Sequence, residues 1–272
     1  MSHPNIPTIH LLCMESKFLD AFNEALPTYW PEYNKNNTRT AGGDATSGND
    51  NTDPPIKITT HSSSLAALPR MTKFDLVVSP ANSYGRLDGA FDDAISRAFC
   101  LPHHAYDTLT EAAQKVLYEK YRGFAPPGTC ELIPFPEELI RGVNVTGEGS
   151  DDGWGCKWVG LCPTMRTPDN ARWDREVVYE CVWSLLCAVE GWNRGLGEGK
   201  GGEYRERGRI ESVLITPMAT GCGGVSPKKW AAQFVLAMRH FVDALERPER
   251  WSALGWREIY QDTHDVEKTW KI

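Results

Sequence analysis

The sequence predicts an α/β fold, a three-layer sandwich in which a mixed or largely parallel sheet carries helices on both faces. Three observations predict it. Short apolar runs of strand length alternate along the chain with longer stretches that carry an apolar stripe at helical spacing. Two of the strand-to-helix junctions are glycine-bearing polar loops, which is how parallel α/β proteins end a strand before a helix. Finally, 272 residues can bury a sizeable core, and α/β architectures often exceed the usual domain size. One decorated domain over residues 1–250, followed by a tail over 251–272, is therefore expected.

The elements follow in order. "TIHLLCM" (8–14) reads as a buried strand, and "SKFLDAFNEAL" (16–26) as a helix with Phe18, Phe22 and Leu26 on one stripe, ended by Pro27. Residues 34–55 contain almost no apolar side chain and read as a disordered insertion that cannot repay its ordering entropy. "IKITT" (56–60) and "FDLVVS" (74–79) are strands joined by a short helical-looking "SSLAALPR" (63–70). A helix runs through 109–123, a strand through "GTCELIPF" (128–135), and a Gly- and Asp-rich loop covers about 141–156. "KWVGLCPTM" (157–165) is a buried strand. The helix at 173–192 places Val178, Cys181, Val182, Leu185, Leu186 and Val189 on its apolar face. A glycine- and charge-rich insertion at about 193–209 precedes the strand "ESVLITPM" (211–218). A glycine loop then feeds a last amphipathic helix that presents Phe234, Met238, Phe241 and Leu245.

Composition removes several function classes. A formal net charge of -7 argues against a general basic field that grips nucleic acid, so nucleic acid is not an expected partner. No window approaches the roughly 20 apolar residues of a membrane span, and "MSHPNIPTIH" lacks the charged and apolar regions of a signal peptide. An intracellular protein, cytoplasmic or nuclear and without a membrane partner, is expected. The eight cysteines form no C-x-x-C pair and several lie in apolar runs, so they read as reduced, buried thiols. The seven histidines are dispersed. No metal and no cofactor is assigned.

The two junctions, 79–93 and 217–226, carry the functional signal. Glycines in such loops let backbone amides approach an anion, and the following helix N-terminus adds partial positive charge. Neither junction is a Walker loop, since G-K-[ST] is missing, and neither has the G-x-G-x-x-G spacing of dinucleotide folds. On residue pattern alone a glycine of this kind more often serves the φ angle of a turn than a ligand.

Taken together, the junctions resemble the macrodomain family of ADP-ribose-binding modules. Ser79-Pro80-Ala81-Asn82 stands where that family has N-A-A-N, and Phe91-Asp92-Asp93-Ala94-Ile95 stands where it has V-D-G-A-I. The ten-residue step from Asn82 to Asp92 equals the spacing of the MacroD-type hydrolases. Pro217-Met218-Ala219-Thr220-Gly221-Cys222-Gly223-Gly224 is similar to the family's P-x-[IL]-[GS]-T-G-x-x-G loop. The match is nearest to a divergent branch with N-S-F-G-x-M-D-G-G-I-D and P-T-M-R-x-P. Residues 82–92 here read NSYGRLDGAFD, and 163–168 read PTMRTP. The resemblance spans about residues 8–245.

What the resemblance implies is a three-layer α/β/α macrodomain sandwich with ADP-ribose, or an ADP-ribosylated substrate, lying across the crest of its sheet. Asn82 would then bond the hydroxyls of the distal ribose, and Ala81 would be among the ligand-binding residues. The amides around Gly89, Ala90 and Phe91 would face the diphosphate, and Thr220, Gly221, Cys222, Gly223 and Gly224 would wrap it from the other side. Asp92, with Asn82 the expected catalytic pair, would accept a proton from a water attacking the anomeric carbon or an ester carbonyl. The residues by themselves leave a second role open for Asp92 and Asp93, as cap or dipole partners in the first turn of a helix. Asp88 places a carboxylate near the diphosphate unless it turns away or pairs with Arg86. The segment expected to hold adenine, His61 to Leu65, has no Asp. Three functions follow as expectations: an ADP-ribosyl hydrolase, a non-catalytic reader, and a scaffold for another nucleotide or a protein. The oligomeric state is not legible.

Overall fold

The computed structural model describes residues 3–35, 54–100, 104–142, 153–199 and 202–272. Six strands, β1 (Thr8–Leu12), β2 (Ile58–His61), β3 (Leu76–Ser79), β4 (Glu131–Pro134), β5 (Trp158–Leu161) and β6 (Ser212–Ile215), form one sheet in the order β2-β1-β6-β3-β5-β4. The first five in that order run parallel, and β4 closes the edge antiparallel to β5. The helices along the chain are α1 (Ser16–Tyr29), α2 (Pro31–Lys35), α3 (Phe91–Phe99), α4 (Thr108–Tyr121), α5 (Glu137–Gly142), α6 (Val177–Gly197), α7 (Pro227–Glu246), α8 (Pro248–Trp251) and α9 (Trp256–Glu267).

Strand alternation splits the core into two. Ile9, Leu11, Leu76, Val78, Val213 and Ile215 point to a cluster shared with α1, α6 and α7. Leu12, Val77, Val159, Leu161 and Leu214 point to the other face, against Ile95 of α3, Leu109, Ala113 and Leu117 of α4 and Leu139 of α5. Near-continuous apolar runs are what a parallel sheet covered on both faces requires. The molecule is thus an α/β/α sandwich with a mixed central sheet.

Side-chain stripes fall as expected. All six apolar positions of α6 are buried, as are Phe234, Met238 and Phe241 of α7, while Leu245 packs half-buried against the same cluster. α7 starts on a Ser226 hydroxyl that accepts from the Lys229 amide, with Pro227 in the first turn.

Three local expectations need correction. Pro27 does not end α1, which continues to Tyr29. So close to a helix end a proline forfeits only one donor, and the Thr28 hydroxyl and the Trp30 amide bond the carbonyls of Glu24 and Leu26. Residues 63–70 form successive turns rather than a helix, with the Ala67 and Leu68 amides reaching back only three residues to Ser64 and Leu65. Around 193–209 the composition misleads, because α6 runs on to Gly197 and Gly202–Arg207 is a 3-10 turn. Asn193 is buried there, its Nδ2 donating to the Asn5 and Ile210 carbonyls and its Oδ1 accepting from the Ile210 amide.

Most of the insertion expected at 34–55 lies outside the described residues, as do 143–152 of the loop expected at 141–156. The C-terminal tail is docked on the sandwich. Gln233 Nε2 donates to Thr269 Oγ1 at 3.0 Å, and Trp270 Nε1 donates to Glu176 at 2.9 Å. Among the described residues no helix is long and apolar enough to cross a membrane.

Candidate functional site

β6 and β3 are parallel neighbours, yet the chain leaving them turns in opposite directions. The helix after β3, α3, covers one face, and the helix after β6, α7, covers the other. Such a divergence opens a crevice at the carboxyl ends of the two strands, where open α/β sheets bind ligands. The loops 79–93 and 217–226 are its two walls, so Ala81, Asn82, Gly89 to Asp92 and Thr220 to Gly224 each lie on one wall or the other.

Residues 163–172 tie the walls together. The Thr164 amide donates to the Ala81 carbonyl at 2.9 Å, and the Ser83 amide to Met165 at 2.9 Å. Met165 Sδ in turn lies 3.7 Å from Cys222 Sγ, and the Ala171 amide donates to the Gly223 carbonyl at 2.9 Å. The P-T-M-R segment is therefore the shared floor of both loops.

The first wall is built around Asn82. Its Oδ1 accepts from the Tyr84 amide at 3.0 Å and the Arg86 amide at 3.4 Å, and its Nδ2 donates to the Arg86 carbonyl at 2.9 Å. Both lone pairs and one of two N–H groups are thus spent on the loop, leaving one N–H for a ligand. Leu87 is buried, its amide held by Thr110 Oγ1 and its carbonyl by Ser96 Oγ. Asp88 is drawn off by Arg86, whose Nε and Nη2 donate to Oδ2 at 2.9 and 2.5 Å.

Gly89 to Asp92 then make a tight turn, the Asp92 amide donating to the Gly89 carbonyl at 3.0 Å. Ala90, at φ 50 and ψ -119, occupies a region that ordinarily belongs to glycine. Such a conformation costs about 1–3 kcal/mol and collects at functional sites. Among the described residues the amides of Gly89, Ala90 and Phe91 donate to no protein group. Gly89 and Ala90 are exposed, and Phe91 is half-buried against the α3–α4 core.

The two acids of the first helical turn separate completely. Asp93 faces outward, where Arg97 and then the Tyr106 hydroxyl hold its carboxyl below the usual range. Asp92 turns inward, 6 % exposed, and its Oδ1 accepts from Ser79 Oγ at 2.7 Å. Burial pushes its pKa up to about 7, against the Ser79 hydrogen bond that favours the ionised form and with a smaller push from the Asp88 charge. A carboxyl poised near neutrality is suited to general-base work.

The second wall is made by backbone. The Val225 amide closes on the Ala219 carbonyl and the Gly224 amide on Gly221, each at 3.0 Å. A Cβ on Gly223 would sit 2.4 Å from the Ala219 oxygen, so only glycine fits there. Ala219 itself has φ 58. Among the described residues the amides of Thr220, Gly221, Cys222 and Gly223 donate to no protein group, and Cys222 is exposed.

Ser79, to which the sequence pattern assigns no role of its own, is the partner of Asp92. Its signal was a polar side chain ending an otherwise apolar buried strand, where some partner is obligatory. The segment expected at adenine follows β2 at the same end of the sheet, and there the Ser63 hydroxyl is turned to the Ser64 carbonyl. A cavity of about 580 Å³ lies at the opposite, amino-terminal end of the strands, lined by Thr8, Lys57, Ile58, Arg209 and Glu211 among others. Its arginine is committed to the carbonyls of Pro4 and Asn193 and to Asn5, which makes it a structural clasp. No protein-family model and no curated protein matches the chain.

Proposed function

We propose that the crevice binds ADP-ribose or a derivative of it, and that Asp92 hydrolyses the bond joining ADP-ribose to a modified substrate. On this reading the chain is a macrodomain of the divergent branch that its two loops resemble. The observation that carries it is the pair of unbonded amide runs, 89–91 and 220–223, on the two lips of one crevice. A diphosphate gripped between them has donors on both sides and no carboxylate opposing it, since Asp88 is paired with Arg86.

With the diphosphate there, the distal ribose falls beside Asn82 and Asp92. Asn82 offers its remaining N–H to a ribose hydroxyl. Asp92, ionised above about pH 7, takes a proton from water as that water attacks the anomeric carbon or the ester carbonyl. Ser79 holds one carboxylate oxygen, leaving the other for the water. The leaving side chain or phosphate departs with the electrons of the broken bond. Eight free thiols suit a reducing compartment, cytoplasmic or nuclear.

A non-catalytic reader is the second reading, favoured by the burial of Asp92 at 6 % exposure, which restricts the approach of water. Titration calorimetry with ADP-ribose at high micromolar concentration tests binding, and release from mono-ADP-ribosylated protein or ADP-ribose 1''-phosphate tests turnover. Binding with weakened affinity in Asn82→Ala, and turnover abolished with binding intact in Asp92→Ala, are the expected results. A flat titration sinks the binding reading, and binding without turnover leaves the reader.

A further inference from the structure

The floor segment carries an arginine that the loop resemblance does not use. Arg172 donates from Nε to the Gly224 carbonyl at 2.8 Å, and its own amide is fixed by Asn170 Oδ1 at 2.7 Å. A Cβ on Gly224 would fall 3.0 Å from Nε and 3.1 Å from Nη2, so the guanidinium lies flat against the loop backbone. Gly224, at φ 69, is what admits it. Arg86, Arg97, Arg207, Arg247 and Arg250 each meet a carboxylate. Arg172 meets none among the described residues and is exposed.

A guanidinium oriented through Nε, with its terminal nitrogens unclaimed, is set up for an oxyanion that offers two acceptor oxygens. The unbonded amides of residues 220–223 belong to the same loop. We infer that Arg172 binds a phosphate seated on the second wall, so that the ligand of the crevice presents a phosphate group to the arginine as well as to the amides. The inference rests on the reading of the crevice as an ADP-ribose site, but the phosphate chemistry can be tested apart from it.

The experiment titrates wild type, Arg172→Gln and Arg172→Lys with ADP-ribose and, separately, with inorganic pyrophosphate, each at two salt concentrations. Melting temperatures are recorded alongside. Arg172→Gln is expected to bind ADP-ribose about ten- to a hundredfold more weakly, with a flatter salt dependence. Arg172→Lys loses both the Nε bond to Gly224 and the paired donors but keeps the charge, so it should recover the salt dependence and only part of the affinity. A lysine variant with the same flat salt dependence as the glutamine variant would mean that Arg172 merely holds the loop, and a glutamine variant with wild-type affinity overturns the inference outright. If wild type binds pyrophosphate but not ADP-ribose, the nucleotide reading fails while the arginine is still judged by loss of pyrophosphate in Arg172→Gln. Binding of neither by wild type removes both.

Discussion

The two walls of the crevice reach similar ends by different means. The first is held by side chains: Asn82 staples its own turn, Thr110 and Ser96 pin Leu87, and Arg86 neutralises Asp88. The second is held by backbone, with Gly223 packed so closely on the Ala219 carbonyl that a methyl group has no room. Each wall carries one alanine at positive φ, Ala90 or Ala219, and each has a run of amides that bond no group among the described residues. A side-chain scaffold can also house a buried carboxyl, and only the first wall has one. The proposed function asks a base and an anion grip of the first wall, and an anion grip alone of the second.

The largest expected effect follows from that division. Asp92→Asn should lower turnover by roughly 10²- to 10⁴-fold, the usual worth of a general base. In wild type the rate should rise as pH climbs through about 7, since the base must be ionised. Stability runs the other way. The folded carboxyl holds its proton up to about 7 and the unfolded one only to 3.8, so the folded state binds more protons between those values. Asp92 therefore favours the folded state fully below about pH 3.8, and that contribution drains away as pH rises to about 7. Urea unfolding over this window should show wild type losing stability relative to Asp92→Asn. A constant difference would mean that Asp92 does not titrate near neutrality.

Next in size is the same substitution made on both walls. Gly223→Ala drives a Cβ to 2.4 Å from the Ala219 oxygen and should cost roughly 2–3 kcal/mol, with loss of ADP-ribose binding. Gly89→Ala meets nothing within 4 Å and should stay within about 0.5 kcal/mol. Equal effects in denaturant titrations would erase the distinction between a backbone-built and a side-chain-built loop. Asn82→Ala removes three hydrogen bonds from the first wall, two of them to amides of an exposed turn that water can re-solvate. About 1–2 kcal/mol is expected, with weaker ADP-ribose binding because the turn loosens.

The layers and the two loops were legible because burial dictates periodicity. A strand covered on both faces cannot help reading as "LVVS", and the stripe of α6 runs unbroken from Val178 to Val189. Glycine content misled where tertiary bonds override propensity, as when Asn193 carries α6 into a Gly-rich stretch. Within the site, Asp92 and Asn82 were marked by the loop resemblance. Their partners were not, because Ser79 and Asp92 meet only once the chain has folded, and Met165 reaches Cys222 across 57 residues. The docked tail was illegible for the same reason, its anchor being a Gln233–Thr269 bond between distant helices.

Small effects are also expected at the strained alanines. Ala90→Gly removes a steric penalty of about 1–3 kcal/mol but frees the unfolded chain by about 0.5–1 kcal/mol, so a net gain near 1 kcal/mol is expected from denaturant unfolding. Ala219→Gly has less to gain, since its methyl group is buried at 6 % exposure and burial of one carbon contributes about 0.8 kcal/mol. The two glycine variants thus separate the walls once more. If Ala90→Gly is more stable yet binds ADP-ribose more weakly, the strain at Ala90 serves to fix the amides of Ala90 and Phe91 toward the ligand. If it is more stable and binds equally well, the amides are positioned by the Gly89–Asp92 turn and the strain has no part in binding.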